Sequence, residues 1–323
     1  MSFFIRLLAA EQVIKAYILK RVVLLVPLLL GITLFAFFLL KSLPGDIVLS
    51  LVGERASQET IESIRKELGA DKGFLQQYAG YLSLLARGDF GRSYYTNRDV
   101  LQDIIAKFPN TLRLAGTAML LAVPGGVAAG FLSAYRRGRA AEKAVTVLSL
   151  GGLSVPLFWS ALMIMLLFSL TLKLFPPSGT GGVGFLVLPA LALSLPAAST
   201  LARVTRTTVM EVLRMPYVTT ARAKGVRRLR IGGIHVLKNA LIPIVTIIGL
   251  DFGSYLNGAV VTETIFGWDG IGRFTMEGIL KRDYPVIMGC VLVGTVVFVL
   301  INLATDLLYH LLDPRVRLHG KDR

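Results

Sequence analysis

The stretch VVLLVPLLLGITLFAFFLL, residues 22–40, contains 19 residues and no charge. An α-helix needs about 20 consecutive apolar residues to cross the hydrocarbon core of a bilayer. Five more stretches of this kind follow, the last of them at 284–305, and only one of them carries a charge, Asp251. The sequence therefore predicts an all-α integral membrane protein. Its six transmembrane helices are predicted at residues 22–40, 114–135, 144–172, 185–202, 241–262 and 284–308.

The composition agrees with a membrane protein and argues against an ordinary water-soluble enzyme. Hydrophobic residues make up 54% of the 323 residues and charged residues only 17%, whereas soluble domains carry about 25% charged residues. The single Cys excludes a disulfide scaffold and a Cys-rich metal site. Because Cys290 lies in an apolar run, it is predicted to pack as a small hydrophobic side chain.

The distribution of charge predicts how the helices are oriented. If both termini lie on one side, that side carries 21 of the 35 Lys and Arg residues but only six of the 20 Asp and Glu residues. Loops rich in Lys and Arg stay in the cytoplasm, so both termini are expected there. The net charge of +15 thus reflects orientation in the lipid bilayer, and nucleic acid is not an expected partner.

Two segments outside the predicted membrane helices are long. Residues 41–111 are predicted to form an extracytoplasmic insertion with an amphipathic helix near 59–68. Residues 203–240 form a cytoplasmic loop in which a short helix is predicted between Pro216 and Gly225. Proline suits the first position of a helix, and glycine suits the left-handed position after its end. The remaining segments are a cytoplasmic or interfacial N-terminal segment, 1–21, and a cytoplasmic tail, 311–323.

No catalytic or metal-binding pattern accompanies the membrane helices. The motifs GxxxxGK[ST], HExxH and GxSxG are absent from the sequence, so we expect no enzymatic activity, no bound metal and no cofactor in this chain. Asp251 is the candidate site within the membrane, since an intramembrane carboxylate is costly and usually faces a polar cavity. It either lines a pathway and attracts a cation, or pairs with Ser254, Asn257 or a neighbouring subunit.

The cytoplasmic loop resembles that of ABC-transporter permeases, and most closely that of the dipeptide/oligopeptide/nickel branch. Residues 221–225 read ARAKG and residues 235–243 read HVLKNALIP, similar to ARAKG and H.LRNALIP in the branch. Further similar motifs occur in order: LPGD at 43–46, LGAD at 68–71, GDFGRS at 88–93, FPNTL at 108–112, ETIFGWDGIGR at 263–273, RDYPVI at 282–287 and DPRVR at 313–317. The chain departs from the branch at Ile47 and Asp269, which replace Pro, at Lys72 and Gly73, which replace Gln-Pro, and at Thr219 and Thr220, which replace Glu and Ala.

The resemblance implies a type I importer permease fold and a subunit of an ATP-driven, binding-protein-dependent importer in the bacterial inner membrane. The implied partners are a second permease subunit, usually non-identical, two ATPase subunits that use ATP and Mg, and an extracytoplasmic substrate-binding protein. Similar permeases carry peptides, glutathione or nickel complexes. Docking of the ATPase subunits is expected at Tyr217, Thr219, Thr220, Ala221, Arg222, Ala223, Lys224 and Gly225. The alternative is a self-contained secondary transporter or channel coupled through Asp251.

Overall fold

A computed structural model describes residues 2–42, 47–52, 57–67, 69, 71–227 and 230–312. Within these ranges the chain forms helices and no strand, apart from an isolated bridge between Arg92 and Asp99. The LPGD and DPRVR motifs, part of the LGAD motif and the tail from residue 313 lie outside the described residues.

Thirteen α-helices occur in the described ranges. They are α1 Ser2–Ser42, α2 Ile47–Val52, α3 Gln58–Glu67, α4 Phe74–Leu85, α5 Val100–Tyr135, α6 Ala140–Ser154, α7 Leu157–Met165, α8 Val183–Leu213, α9 Pro216–Ala223, α10 Lys238–Leu256, α11 Val260–Ile265, α12 Ile271–Lys281 and α13 Tyr284–Leu312. Two π-helical segments, Leu166–Thr171 and Ile231–Leu237, follow α7 and precede α10. Helices α1, α5, α8, α10 and α13 are long and apolar enough to cross a bilayer, and α6 with α7 forms a sixth span if counted together.

The third predicted span, 144–172, is divided between two helices. Helices α6 and α7 are bent by 102° at a short break, where Val155 and Pro156 have extended backbone conformations. Proline has no N–H to donate and disfavours the helical conformation in the residue before it. Pro189 and Pro196, by contrast, lie within α8 without ending it.

Several predicted boundaries shift as well. Helix α5 begins at Val100, so the end of the predicted 41–111 insertion belongs to a membrane helix. Helix α8 continues to Leu213, so the first part of the predicted loop 203–240 is helical. Helix α1 is continuous from Ser2, and the predicted N-terminal segment is therefore the first part of that helix. The predicted amphipathic helix is confirmed as α3, with Ile61 buried.

The fifth span ends earlier than the predicted residue 262. Helix α10 stops at Leu256, and Gly258 has a φ of 108°, in the left-handed region that favours glycine. The chain then turns into the short helix α11. This break leaves residues 257–262 at the end of the bundle, where they connect α10 to the motif that begins at Glu263.

Helices α5 and α8 form the central contact of the bundle. A Cβ atom at Gly126 would lie 2.6 Å from the backbone oxygen of Ala198, and one at Gly130 would meet the backbone oxygen of Ala202. A side chain does not fit at these distances, so glycine allows the two backbones to approach closely. The four-residue spacing of Gly126 and Gly130 places both on the side of α5 that meets α8.

Helix α10 packs against α13 in the same way. Thr305 occupies the position that a Cβ atom at Gly249 would need, and a Cβ atom at Gly253 would lie 3.2 Å from the ring of Phe298. Cys290 of α13 is buried in a hydrophobic cluster, which agrees with its predicted role as a small hydrophobic side chain. One face of α10 is therefore committed to packing within the chain.

Helix α1 runs antiparallel to α13 and is tied to it at both ends. At one end Tyr284 donates a hydrogen bond to the backbone oxygen of Leu40 at 3.1 Å. At the other end Asp306 accepts hydrogen bonds from Tyr17 at 2.6 Å and from Arg21 at 2.7 Å. The two ends are separated in α1 by about 35 Å of helix, slightly more than the hydrocarbon thickness of about 30 Å.

We predict that Gly126→Val destabilises the protein by about 1–3 kcal/mol, because the added side chain separates α5 from α8. The matched control is Gly125→Val, since a Cβ atom at Gly125 meets nothing within 4 Å. Both substitutions change the helix propensity equally, so only packing distinguishes them. Thermal unfolding of the purified protein in detergent measures the difference, and equal midpoints for the two variants would contradict the close contact.

Candidate coupling surface and membrane site

The short helix α9, in the long connection between α8 and α10, begins and ends where the sequence predicts. Pro216 occupies the first turn of α9 after the N-cap residue Met215. Gly225 has a φ of 75°, a left-handed conformation that costs other residues roughly 1–2 kcal/mol. A Cβ atom at Gly225 would meet nothing within 4 Å, so backbone conformation rather than crowding favours glycine there.

The inner face of α9 is anchored to the protein itself. Val218 is 0% exposed and packs in a cluster with residues of α8 and of the π-helical segment Ile231–Leu237. Ala221, expected to contact an ATPase subunit, is half-buried against the same cluster. Tyr217 accepts a hydrogen bond from the side-chain amide of Asn239 at 3.0 Å. Ala221 therefore seats α9 on the bundle instead of forming its outer surface.

The remaining predicted docking residues lie on two different sides of α9. The outer face of α9, defined here as Thr219, Thr220, Ala223 and Lys224, is exposed. Arg222 instead lines a cavity of about 530 Å³ together with Tyr135 at the end of α5. The structure thus brings four of the eight predicted residues together on one accessible surface.

Asp251 lies on the side of α10 that faces away from α13. Gly249 and Gly253, two residues to either side, face α13, and a helix turns by more than half a circle over two residues. Asp251 is half-buried, and its Oδ2 atom has no hydrogen-bond partner among the described residues. Ser254 and Asn257, the proposed intrachain partners, are exposed, so this structure does not place Asp251 in an intrachain pair with them.

Glu263 carries a fully buried carboxylate. This residue was not singled out from the sequence. Its side chain is 0% exposed and accepts hydrogen bonds from the hydroxyl of Thr111 at 2.8 Å and the backbone N–H of Arg273 at 2.9 Å. Cβ atoms at Gly270 and Gly272 would lie 2.5 Å and 2.9 Å from this carboxylate. The glycines of the ETIFGWDGIGR motif therefore admit Glu263 to the N-terminus of α12, where the helix dipole favours negative charge.

Burial raises the pKa of Glu263, while hydrogen bonds from the backbone N–H groups of Arg273 and Gly272 and from Thr111 act in the opposite direction. Burial has the larger effect, because desolvation penalises the charged carboxylate. Thr111 also accepts a hydrogen bond from the N–H of Ile271 at 2.9 Å. The carboxylate thereby joins α5, α11 and α12 through one network.

The other motifs noted in the sequence meet in pairs at this end of the bundle. The indole N–H of Trp268 donates to the backbone oxygen of Asn110 at 3.0 Å, which joins ETIFGWDGIGR to FPNTL. Ser93 donates to Asp283 at 2.5 Å, which joins GDFGRS to RDYPVI. Asp269, which stands where the branch has Pro, forms an ion pair with Lys107. The sequence signal that could have indicated the buried Glu263 network is an acid followed by closely spaced glycines, as in ETIFGWDGIGR.

These features define the membrane component of an importer: a helical bundle that presents a short anchored helix in the long connection between α8 and α10. The chain belongs to the family of binding-protein-dependent transport system inner membrane components. The model of that family matches residues 126–318, and the model of the N-terminal part of such membrane components matches residues 14–115.

Relatives with assigned roles resemble nearly the whole chain. The di/tripeptide transport system permease protein DppB of Pseudomonas aeruginosa is 39% identical and aligns with 94% of this chain and 98% of its own length. The dipeptide transport system permease protein DppB of Escherichia coli K12 is 37% identical and aligns with 93% of this chain and 98% of its own length. The inward-facing MetNI methionine ABC transporter has a similar fold, with a TM-score of 0.54 and 18% identity over 66% of this chain and 97% of that chain.

The comparisons confirm the predicted family and the all-α importer permease fold. The chain is a multi-pass inner-membrane permease subunit of a binding-protein-dependent importer. A permease of this type works with ATPase and substrate-binding proteins. The comparisons lend no support to the alternative of a self-contained transporter coupled through Asp251. They also do not point specifically to nickel as a substrate.

We predict that Glu263→Ala destabilises the protein by about 2–4 kcal/mol, because buried donors on Thr111 and at the N-terminus of α12 lose their acceptor. Glu277→Ala is the matched control, since Glu277 also binds Arg273, at 2.9 Å, but at the surface. Exposed pairs of this kind contribute about 0.3–0.5 kcal/mol. Thermal unfolding and the rate of proteolysis compare the two variants, and equal effects would contradict a structural role for the Glu263 network.

Proposed function

We propose that the chain forms one half of the translocation pathway of a peptide importer. The observation that carries this proposal is the identity of 37–39% to permeases of di/tripeptide and dipeptide transport over more than nine-tenths of each chain. A second, non-identical permease subunit forms the other half, and an extracytoplasmic binding protein delivers the peptide. Two ATPase subunits hydrolyse ATP with Mg, while this chain binds neither and catalyses no reaction.

Both termini lie in the cytoplasm in this proposal, together with α9 and the basic turn between α5 and α6. The excess of Lys and Arg in these segments supports the orientation. The cavity shared by Arg222 and Tyr135 also places α9 beside the end of α5. The Glu263 network then faces the extracytoplasmic side, where the substrate-binding protein approaches.

The outer face of α9 is the docking surface for an ATPase subunit. Val218 and Ala221 hold the opposite face against the bundle, so a force applied to the outer face moves α9 as part of the protein. The small side chain of Ala223 leaves room for close approach, and Lys224 adds positive charge beside it. The left-handed Gly225 ends the helix directly after this surface.

We predict that Ala223→Trp abolishes association with the ATPase subunits and peptide uptake, because the indole occupies the space a partner needs. The matched control is Ala140→Trp, at a second exposed alanine on the proposed cytoplasmic side. Both variants are expected to insert and fold normally. Co-purification of ATPase subunits and uptake of labelled dipeptide provide the measurement. Normal association and uptake in Ala223→Trp would refute the docking surface.

Asp251, Ser254 and Asn257 line the translocation pathway in this proposal. Asp251 is half-buried on the side of α10 away from α13, Ser254 is exposed, and Asn257 is exposed although its side chain also occupies the position that a Cβ atom at Gly294 of α13 would need. Polar side chains at membrane depth are costly against lipid and favourable beside a water-filled cavity. A carboxylate in such a cavity attracts the amino group of a peptide more strongly than it would in bulk water.

We predict that Asp251→Asn lowers peptide uptake by about tenfold or more, which corresponds to roughly 1.4 kcal/mol of lost interaction. The amide keeps the size and hydrogen bonding of the carboxylate but removes its charge. The yield of intact complex and the affinity of the binding protein for peptide should remain unchanged. Loss of intact complex, or uptake equal to that of the unmodified protein, would remove Asp251 from the pathway.

A further inference from the structure

Helix α4 lies in the predicted extracytoplasmic insertion but has an unusual composition for a water-exposed helix. Its sequence, FLQQYAGYLSLL, has no charged residue over Phe74–Leu85. Lys72 precedes it and Arg87 follows it. Helices that lie in the membrane interface combine an apolar face with basic residues that reach the headgroups.

A hydrogen bond fixes the depth of α4 relative to the bilayer. The hydroxyl of Tyr78 donates to the backbone oxygen of Leu30 at 3.0 Å and lies 3.1 Å from the hydroxyl of Thr33. Leu40, at the outer end of the α1–α13 pair, is bound by Tyr284. Leu30 lies ten residues deeper in α1, about 15 Å along the helix, which is half of a hydrocarbon core of about 30 Å. The Tyr78 side chain therefore extends from α4 into the hydrocarbon core.

Aromatic contacts place the whole helix close to this level. The rings of Phe74, Tyr78 and Tyr81 lie 5.3 Å, 5.6 Å and 6.5 Å from the ring of Phe37, measured between centroids. Phe37 is three residues below Leu40 in α1, about 4.5 Å along the helix. Helix α4 thus crosses α1 just below the outer end of the membrane-spanning pair.

The free sides of α4 differ sharply in polarity. An apolar stripe consists of Leu75, Ala79, Leu82 and Ala86, at the spacing that places residues on one side of a helix. Leu75 is 75% exposed. About a quarter turn around the helix, Gln76, Gly80 and Ser83 line a cavity of about 470 Å³. The helix therefore has the amphipathic pattern of an interfacial helix.

The surface beside α4 identifies what covers the apolar stripe. Phe38 of α1 is 54% exposed and its ring lies 6.4 Å from that of Phe74, and Phe35 is 62% exposed. Both belong to a helix that crosses the bilayer. The apolar stripe continues this exposed surface, so the same acyl chains can cover both.

We propose that α4 lies in the outer leaflet of the membrane as an interfacial helix, with its apolar stripe on phospholipid acyl chains and its polar side toward water. Lys72 and Arg87 are then at the level of the headgroups. The insertion is held to the bilayer, and the GDFGRS loop that follows α4 is held at a fixed height beside Asp283. The inference does not depend on which substrate the importer carries.

Spin labels on single cysteines test this placement in proteoliposomes that contain the complete transporter. The chain carries Cys290→Ala and one of Leu75→Cys, Ala79→Cys, Gln76→Cys or Ser83→Cys, all at exposed positions. Collision rates are measured with oxygen, which concentrates in hydrocarbon, and with a water-soluble nickel chelate. The oxygen-to-nickel ratio at positions 75 and 79 should exceed that at 76 and 83 by roughly tenfold, because a polar complex is excluded from hydrocarbon.

Each other result overturns the proposal. High nickel collision rates at positions 75 and 79 would place the apolar stripe in water. Low rates with both reagents at these positions would mean that another protein segment, not lipid, covers it. Equal ratios on both sides of α4 would show that the helix does not lie at a boundary between water and lipid.

Discussion

The contact between α5 and α8 leaves no room for side chains at Gly126 and Gly130. Both the Glu263 network and the α9 surface depend on this contact. Gly126 and Gly130 bring the two backbones together, where dispersion between closely packed atoms replaces the hydrophobic effect that lipid cannot supply. At one end α5 carries Thr111, which binds Glu263. At the other end α8 carries part of the cluster that buries Val218 of α9. The close contact between α5 and α8 thereby fixes the relative positions of Glu263 at one end of the bundle and Val218 at the other.

The number of membrane helices and the bounds of α9 could be predicted because their signals are local. A run of about 20 uncharged residues specifies a span, and Pro216 with Gly225 specifies the two ends of a short helix. Proline within a span is a less certain signal. Pro156 ends a helix, but Pro189 and Pro196 do not, because neighbouring helices can satisfy the backbone groups that proline frees. The sequence around each proline does not contain this information.

Asp251 and Glu263 show where sequence reasoning stops. Asp251 stands out because it is the single charge that interrupts an otherwise uncharged stretch of membrane-spanning length. Glu263 lies just beyond a span and looks like any acid in a loop, while its partner Thr111 is 152 residues away. The same limit applies to α9. The motif indicates that this helix contacts a partner, but only the packing of Ala221 against the bundle distinguishes the anchored residues from the accessible ones.

The π-helical segment Ile231–Leu237 connects α9 to the membrane helix that carries Asp251. Helix α9 packs on this segment, and the segment continues without interruption into α10. From Leu237 to Asp251 the chain is a single rod of about 21 Å. A π-helix differs from an α-helix in its i→i+5 hydrogen bonding and occurs mostly as short segments, often at functional sites. The segment that supports α9 and the residue Asp251 therefore belong to one continuous helical stretch, with Pro243 between them.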